Sequence, residues 1–139
     1  MAGRGELPFE ILRLANALVR ELIPVVAPHG LTPQQAAILF RVASLEAPPT
    51  LAALGRALSV SKQNVTGMVA RLVEAGLLRR EGDPADQRAS RLTLTRRGQV
   101  LTERLAPELE RWSDEHLGTT DDRKRAEEVV ARLLALLES

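Results

Sequence analysis

The sequence has no cysteine and no tyrosine, and its 139 residues include only Phe9, Phe40 and Trp112 as aromatics and only His29 and His116 as histidines. Without cysteine there is no protein-encoded disulfide framework, thiolate zinc site, iron–sulfur cluster or thiol-oxidation switch. Two histidines leave no basis for a histidine-rich metal site, so no metal or cofactor is expected. No apolar run reaches the roughly 20 residues that span a bilayer, and residues 1–8 lack the basic-then-hydrophobic order of a secretory signal. A soluble, cytoplasmic protein without a membrane partner is the expectation. Net charge is also scarce, at +1, which on its face weighs against a polyanionic partner.

The average hides a polarity along the chain. Residues 1–50 are balanced, residues 51–99 hold nine basic and four acidic side chains, and residues 100–139 hold six basic and ten acidic ones. A basic middle third between neutral and acidic flanks is what one segment facing a polyanion would produce, although an uneven, solvated surface produces it too. The length suits one domain that buries about 65–70% of the surface of its unfolded chain.

Apolar residues at Ile11, Leu14, Ala15, Leu18, Leu22 and Val25 follow helical spacing over Leu7 to Val26, and Pro28 and Gly30 then break the pattern. Thr32, Pro33 and Gln35 form a capping-box start for a helix over Pro33 to Leu45, closed by Pro48 and Pro49. Thr50 caps a short helix to Leu58. Ser59 and Val60 form a tight break, and Ser61 caps a helix from Lys62 to about Ala75, with Gly76 at the left-handed C-terminal position. Val65, Met68, Val69, Leu72 and Val73 give that helix an apolar side, so the pair matches a helix-turn-helix. Leu77 to Glu81 reads as a strand, 82–89 as a turn-rich loop, and Ser90 to Thr95 as an alternating strand, together a wing. A helix then starts at Arg96, with Pro107 expected to bend or interrupt it, and a last helix begins at Asp121 and Asp122.

The segment DPADQRASRLTLTRRG, with the helix-turn-helix before it, resembles the MarR family of bacterial transcription regulators: Asp-Pro, then Asp-x-Arg, then Leu-Thr-Leu-Thr and a glycine opening the next helix. The order of helices around it extends the resemblance over essentially the whole chain. Gln87 departs from the pattern where many members carry a second basic residue, which weakens the expected phosphate contacts of the wing. The resemblance implies a mainly α fold with a small β-hairpin wing, and a homodimer. Residues 31–98 would be the DNA-binding lobe, and 1–30 with 99–139 the helical dimerisation region, all in one continuous unit. Leu7 to Val26 and Ala126 to Leu137 are the expected dimer surface; the alternative is that these residues complete a monomer core, since periodicity does not separate core from interface.

An α-helix fits the major groove, and the face of Lys62 to Ala75 opposite the apolar stripe offers the needed groups. Gln63 and Asn64 carry the paired donor and acceptor that suit adenine, and Thr66 offers a methyl or a hydroxyl. Lys62 and Arg71 suit phosphates, as do the capped helix end at Ser61 and Arg91 with its neighbours Arg79, Arg80, Arg96 and Arg97. By the resemblance, Arg88 enters the minor groove, where narrow A·T-rich steps concentrate negative potential, and Asp86 orients it. Each residue alone also reads as part of a solvated face; the set followed by a wing points to double-stranded DNA. Two such helices roughly 34 Å apart predict an inverted-repeat operator with half-sites about 10 base pairs apart.

The resemblance also implies that a small aromatic or acidic effector can bind between the dimerisation helices and the DNA-binding lobe. Arg13, Trp112 and His116, with Phe9 and His29 nearby in sequence, are the candidates; the alternative is a packing tryptophan and ordinary surface histidines. A competing class is a winged-helix protein–protein interaction module, which would more often show large apolar or acidic groups on the face that here carries Lys, Gln, Asn, Thr and Arg. An enzyme would need a nucleophile–base pair or metal constellation, and the sequence offers neither. A DNA-binding regulator, with repression the expected sign, is therefore the reading carried forward.

Overall fold

The computed structural model describes residues 5–139 apart from 84 and 85, and the side chains of 83–89 also lie outside the described set. By its internal packing the chain falls into two compact units, Met1–Glu103 and Arg104–Ser139.

The first unit begins with α1 (Leu7–Val26), which starts on Pro8, a residue whose fixed φ suits a first helical turn. A short 3-10 turn, Ala27–His29, ends at Gly30 with φ 76°. The expected capping box then opens α2 (Pro33–Ser44): Gln35 N–H donates to Thr32 Oγ1 at 3.1 Å, and Thr32 N–H donates to Gln35 Oε1 at 3.0 Å. The helix stops at Leu45, which is extended, before the two prolines expected to close it. Helix α3 (Leu51–Leu58) starts on Thr50, whose hydroxyl accepts from Ala53 N–H at 3.1 Å. Helix α4 (Lys62–Glu74) starts on Ser61, whose hydroxyl accepts from Asn64 N–H at 3.2 Å. Between them Ser59 takes φ 53° and Val60 N–H reaches Gly55 O at 2.9 Å. A Cβ on Gly55 would lie 3.0 Å from Val60 O and 3.5 Å from Val65 Cγ1, so the absence of a side chain there lets α4 dock closely on α3.

Ile38 and Leu39 of α2, Leu54 of α3, and Val65, Val69 and Leu72 of α4 are buried together with Leu78 and Leu92. Each such side chain contributes about 1.5–3 kcal/mol of burial, which makes this cluster the main anchor of the helix-turn-helix. Met68 and Val73 of the expected stripe are only half-buried.

The hairpin is longer than its sequence suggests. Strands β1 (Leu78–Asp83) and β2 (Asp86–Leu94) pair antiparallel from Leu78↔Leu94 to Glu81↔Arg91, then irregularly to Asp83↔Asp86. The Gly- and Asp-containing stretch read as loop thus joins the ladder, because pairing uses backbone groups that every residue but proline possesses. Leu92 N–H also donates to Pro49 O at 2.9 Å, fastening the hairpin to the α2–α3 connection.

Helix α5 (Arg96–His116) runs through Pro107 without interruption, contrary to the expectation of a break. A proline removes one backbone hydrogen bond; the helix-favouring Arg, Leu and Glu residues on both sides keep the remaining ladder. In the second unit α5 turns at Gly118 (φ 79°) into α6 (Thr120–Glu138). The cap is Thr119, not the aspartates expected to open the helix: Thr119 Oγ1 accepts from Asp122 N–H at 3.0 Å while Thr119 N–H donates to Asp122 Oδ2 at 2.9 Å. Both bonds to the carboxylate side hold the Asp122 pKa below its ordinary value. Arg123 Nη1 meets Asp114 Oδ1 at 2.7 Å across the corner. No helix among the described residues is long and apolar enough to cross a membrane.

Candidate nucleic-acid interface

The apolar side of α4 is used up inside the first unit, and what remains outward is polar. Ser61, Lys62, Gln63, Asn64, Gly67, Ala70 and Arg71 are all exposed. Gly67 faces open space, so nothing in the protein blocks close approach to the helix backbone there. Ser61 accepts the Asn64 N–H, which leaves its own O–H proton available to donate. Thr66 is partly engaged: its hydroxyl donates to Lys62 O at 2.7 Å, leaving its methyl and an oxygen lone pair for a partner. Five of the expected contacts, Ser61, Lys62, Gln63, Asn64 and Arg71, thus share one helix and its cap, with Thr66 behind them.

On the hairpin the basic residues divide. Arg91 is exposed and its Nη1 lies 3.4 Å from Pro48 O, a weak tether that leaves most of the guanidinium outward. Arg79 pairs with Glu81 at 2.8 Å, so half of its charge is compensated within its own strand. Arg97 donates from Nη1 to Ala75 O at 3.2 Å, at the end of α4. The sequence reading grouped Arg97 with the phosphate contacts; its place at a helix end was not legible because the bond spans 22 residues. Asp86 and Arg88 lie on β2 by backbone, but their side chains, with that of Gln87, fall outside the described residues.

The candidate effector residues fall in different units. Trp112 and His116 stack with ring centroids 5.0 Å apart and planes 13° from parallel, and His116 Nδ1 lies 2.9 Å from Trp112 O. Arg13, on α1, is exposed and lies 3.5 Å from Glu10. A separate cavity of about 450 Å³ opens within the first unit between α2, β2 and the start of α5. Val42, Leu45, Pro48 and Leu94 form its apolar wall, and Thr93, whose buried Oγ1 makes no hydrogen bond, and Glu103 contribute polar groups. Its lining has two carboxylates, Glu46 and Glu103, and no cationic side chain, which sets it apart from a site for an acid. That cavity was not legible in the sequence, since its walls come from three elements far apart in the chain. Among the described residues no group of His, Asp or Glu could hold a metal ion.

Comparison with known proteins gives a consistent set of likenesses. The model of the MarR family matches residues 29–89. The transcriptional activatory protein BadR of Rhodopseudomonas palustris is 33% identical over 117 residues, a match covering 79% of this chain and 65% of BadR. The chain thus spans just under two thirds of that relative's length. Among solved structures, reduced AbfR bound to DNA is 26% identical with a TM-score of 0.75, covering 95% of this chain and 92% of AbfR. The crystal structure of MarR is also 26% identical, with a TM-score of 0.80 over 99% of this chain and 94% of MarR. BldR from Sulfolobus solfataricus, at 21% identity and a TM-score of 0.82, shares the fold over 94% of this chain and 93% of its own.

Proposed function

The chain belongs to the MarR family, and from that membership we propose that it is a non-enzymatic, sequence-specific transcription regulator that binds an inverted-repeat operator as a homodimer in the cytoplasm. The observation that carries this reading is the outward face of α4. Its polar groups Gln63, Asn64 and Thr66 lie between a capped, N–H-rich helix start at Ser61 and the cations Lys62 and Arg71. Base-edge readers flanked by phosphate-holding groups are what a major groove requires. AbfR, a relative of the same fold, is itself bound to DNA in its structure. In this reading the hairpin carries Arg91 to the backbone and Arg88, oriented by Asp86, to the minor groove.

Self-association is supported by apolar side chains that the chain leaves in solvent. Helix α6 has no buried residue, and Val129, Val130, Leu136 and Leu137 on it are more than half exposed. Helix α1 exposes Leu7, Phe9, Leu12 and Leu14 in the same way. Apolar surface on that scale marks an interface in a protein of this size. Residues 1–30 and 99–139 are accordingly read as the dimerisation region and 31–98 as the DNA-binding lobe.

The proposal extends to a small aromatic or acidic effector at Trp112 and His116, with Arg13 as its counter-charge. The stacked pair supports it by offering a flat aromatic surface. Trp112 is the sole tryptophan, so quenching of its fluorescence by added aromatic acids reads this site alone, and an unresponsive signal removes it. Repression is the proposed sign, opposite to the activatory role in the name of BadR; a promoter fusion with and without the protein decides between them. The principal test is selection of bound fragments from random duplex DNA by the purified protein. An enriched inverted repeat is the expected result, and no enrichment overturns the reading in favour of a protein-binding winged helix.

A further inference from the structure

The exit of α4 is fastened more thoroughly than its entry. Gly76, at φ 76°, lets the chain reverse so that Gly76 N–H bonds Val73 O at 3.0 Å and Leu77 N–H bonds Leu72 O at 2.9 Å. This closing motif satisfies carbonyls one turn back but leaves those of the exit itself to find other donors. Three consecutive exit carbonyls are taken by the start of α5. Ala75 O accepts from Arg97 Nη1 at 3.2 Å, Gly76 O from Thr95 Oγ1 at 2.6 Å, and Leu77 O from Thr95 N–H at 3.1 Å. Thr95 Oγ1 in turn accepts from Gly98 N–H at 3.1 Å, so one hydroxyl both caps α5 and holds the end of α4. Gly98 has no room for a side chain, because its Cβ position is occupied by the Leu77 carbonyl. The Arg97 guanidinium also lies 3.1 Å from where a Gly76 Cβ would be, so it rests on the α4 exit as well as bonding to it.

From this geometry we propose that Arg97 is a positioning residue, which with Thr95 clamps the C-terminus of α4 onto the first turn of α5 and so sets the angle at which α4 is presented to DNA. A guanidinium at a helix C-terminus interacts favourably with the partial negative charge of the exposed carbonyls. Arg97 therefore acts through α4 and not as a phosphate contact. Any movement of the first turn of α5 is passed directly to α4. The proposal rests on α4 being the DNA-reading helix.

The test compares Arg97→Met, Arg97→Lys and Lys62→Ala with the parent protein, all as full-length chains and well below their unfolding temperatures. Affinity is measured for the selected duplex and for a scrambled duplex over a salt series. For Arg97→Met the selected duplex is expected to bind about two- to fivefold more weakly, the scale of one helix-end cation, with the scrambled duplex and the salt slope unchanged. Arg97→Lys, which keeps a donor and a charge, restores part of the loss. Lys62→Ala is expected to lower the slope by about 0.9, the signature of one phosphate. Amide hydrogen exchange of the free protein adds a reading independent of DNA, with faster exchange at Gly76 and Leu77 expected in Arg97→Met. Equal losses on both duplexes with a slope lowered by about 0.9 would make Arg97 a phosphate contact and overturn the proposal. Unchanged selected-duplex affinity, or unchanged exchange at the α4 exit, overturns it too. A parent protein that does not discriminate between the duplexes refutes instead the DNA reading itself, while the exchange arm still decides whether Arg97 holds the exit.

Discussion

Ser61 separates stability from DNA affinity, because its hydroxyl serves both the fold and the proposed interface. In the free protein it accepts the Asn64 N–H at 3.2 Å and so satisfies one of the open donors at the start of α4. Removing it in Ser61→Ala should cost about 1 kcal/mol of stability, the usual worth of an N-cap. In Ser61→Asp the carboxylate caps as well as serine does and adds a favourable charge at the helix N-terminus, so stability should be retained or rise by about 0.3–1 kcal/mol. For DNA the order reverses. A carboxylate about 6 Å from a phosphate is repelled by about 0.7 kcal/mol under bulk-water screening and about 3 kcal/mol at the effective dielectric of a protein surface, or about 3- to 100-fold in affinity. Urea unfolding followed by circular dichroism gives the first quantity, and fluorescence anisotropy with the selected duplex at fixed salt gives the second. The account expects Ala to be the less stable variant and Asp the weaker binder. A Ser61→Asp protein that binds DNA as tightly as the parent would refute the placement of the α4 N-terminus beside a phosphate.

Gly98→Ala places a methyl on the Leu77 carbonyl, and forced crowding of that kind costs about 1–3 kcal/mol; a lower urea midpoint checks it, and an unchanged one shows that β1 and α5 can separate freely. Leu134, exposed on α6, is expected to be covered in the dimer, so Leu134→Glu should cost roughly 3 kcal/mol or more of dimer stability through an unpaired buried charge. Sedimentation equilibrium should then report monomer with its helical signal intact, whereas a persisting dimer would exclude this face. Asp122 has its pKa lowered by its bonds to Thr119, so it binds protons less readily when folded. Its stabilisation is fully present above the unfolded value of 3.8 and is lost as the pH falls through the lower folded value. The acid limb of a circular-dichroism titration should therefore flatten in Asp122→Asn, and an identical limb would show that the capping box does not matter to α6.

Local signals in the sequence and the folded chain agree wherever chemistry acts over a few residues. Thr32 with Gln35, Thr50 and Ser61 each cap the helix they announce, and Gly76 takes the left-handed conformation its position calls for. The outward polar face of α4 was legible for the same reason, since a 3.6-residue period assigns faces once the apolar side is known. Features that depend on distant partners were not. Gly82 and Asp83 read as loop by propensity, yet they extend β1 because a neighbouring strand supplies hydrogen-bond partners. Pro107 carries a strong breaking signal that the rest of α5 outweighs. Arg97 looks like any other basic residue in a basic segment until the fold sets it against Ala75. The leucines of α6 follow an ordinary amphipathic pattern, and only their exposure in the folded chain separates an interface from a core.

The most direct test of the central claim is the affinity for the selected duplex measured from about 50 to 200 mM salt, with a scrambled duplex alongside. Lys62, Arg71 and Arg91 on each protomer of a dimer predict a log–log slope of about −5 and a loss of about a thousandfold over that range. The account also predicts that the selected duplex binds at least about a thousandfold more tightly than the scrambled one. A flat salt dependence, or equal affinity for the two duplexes, would contradict it.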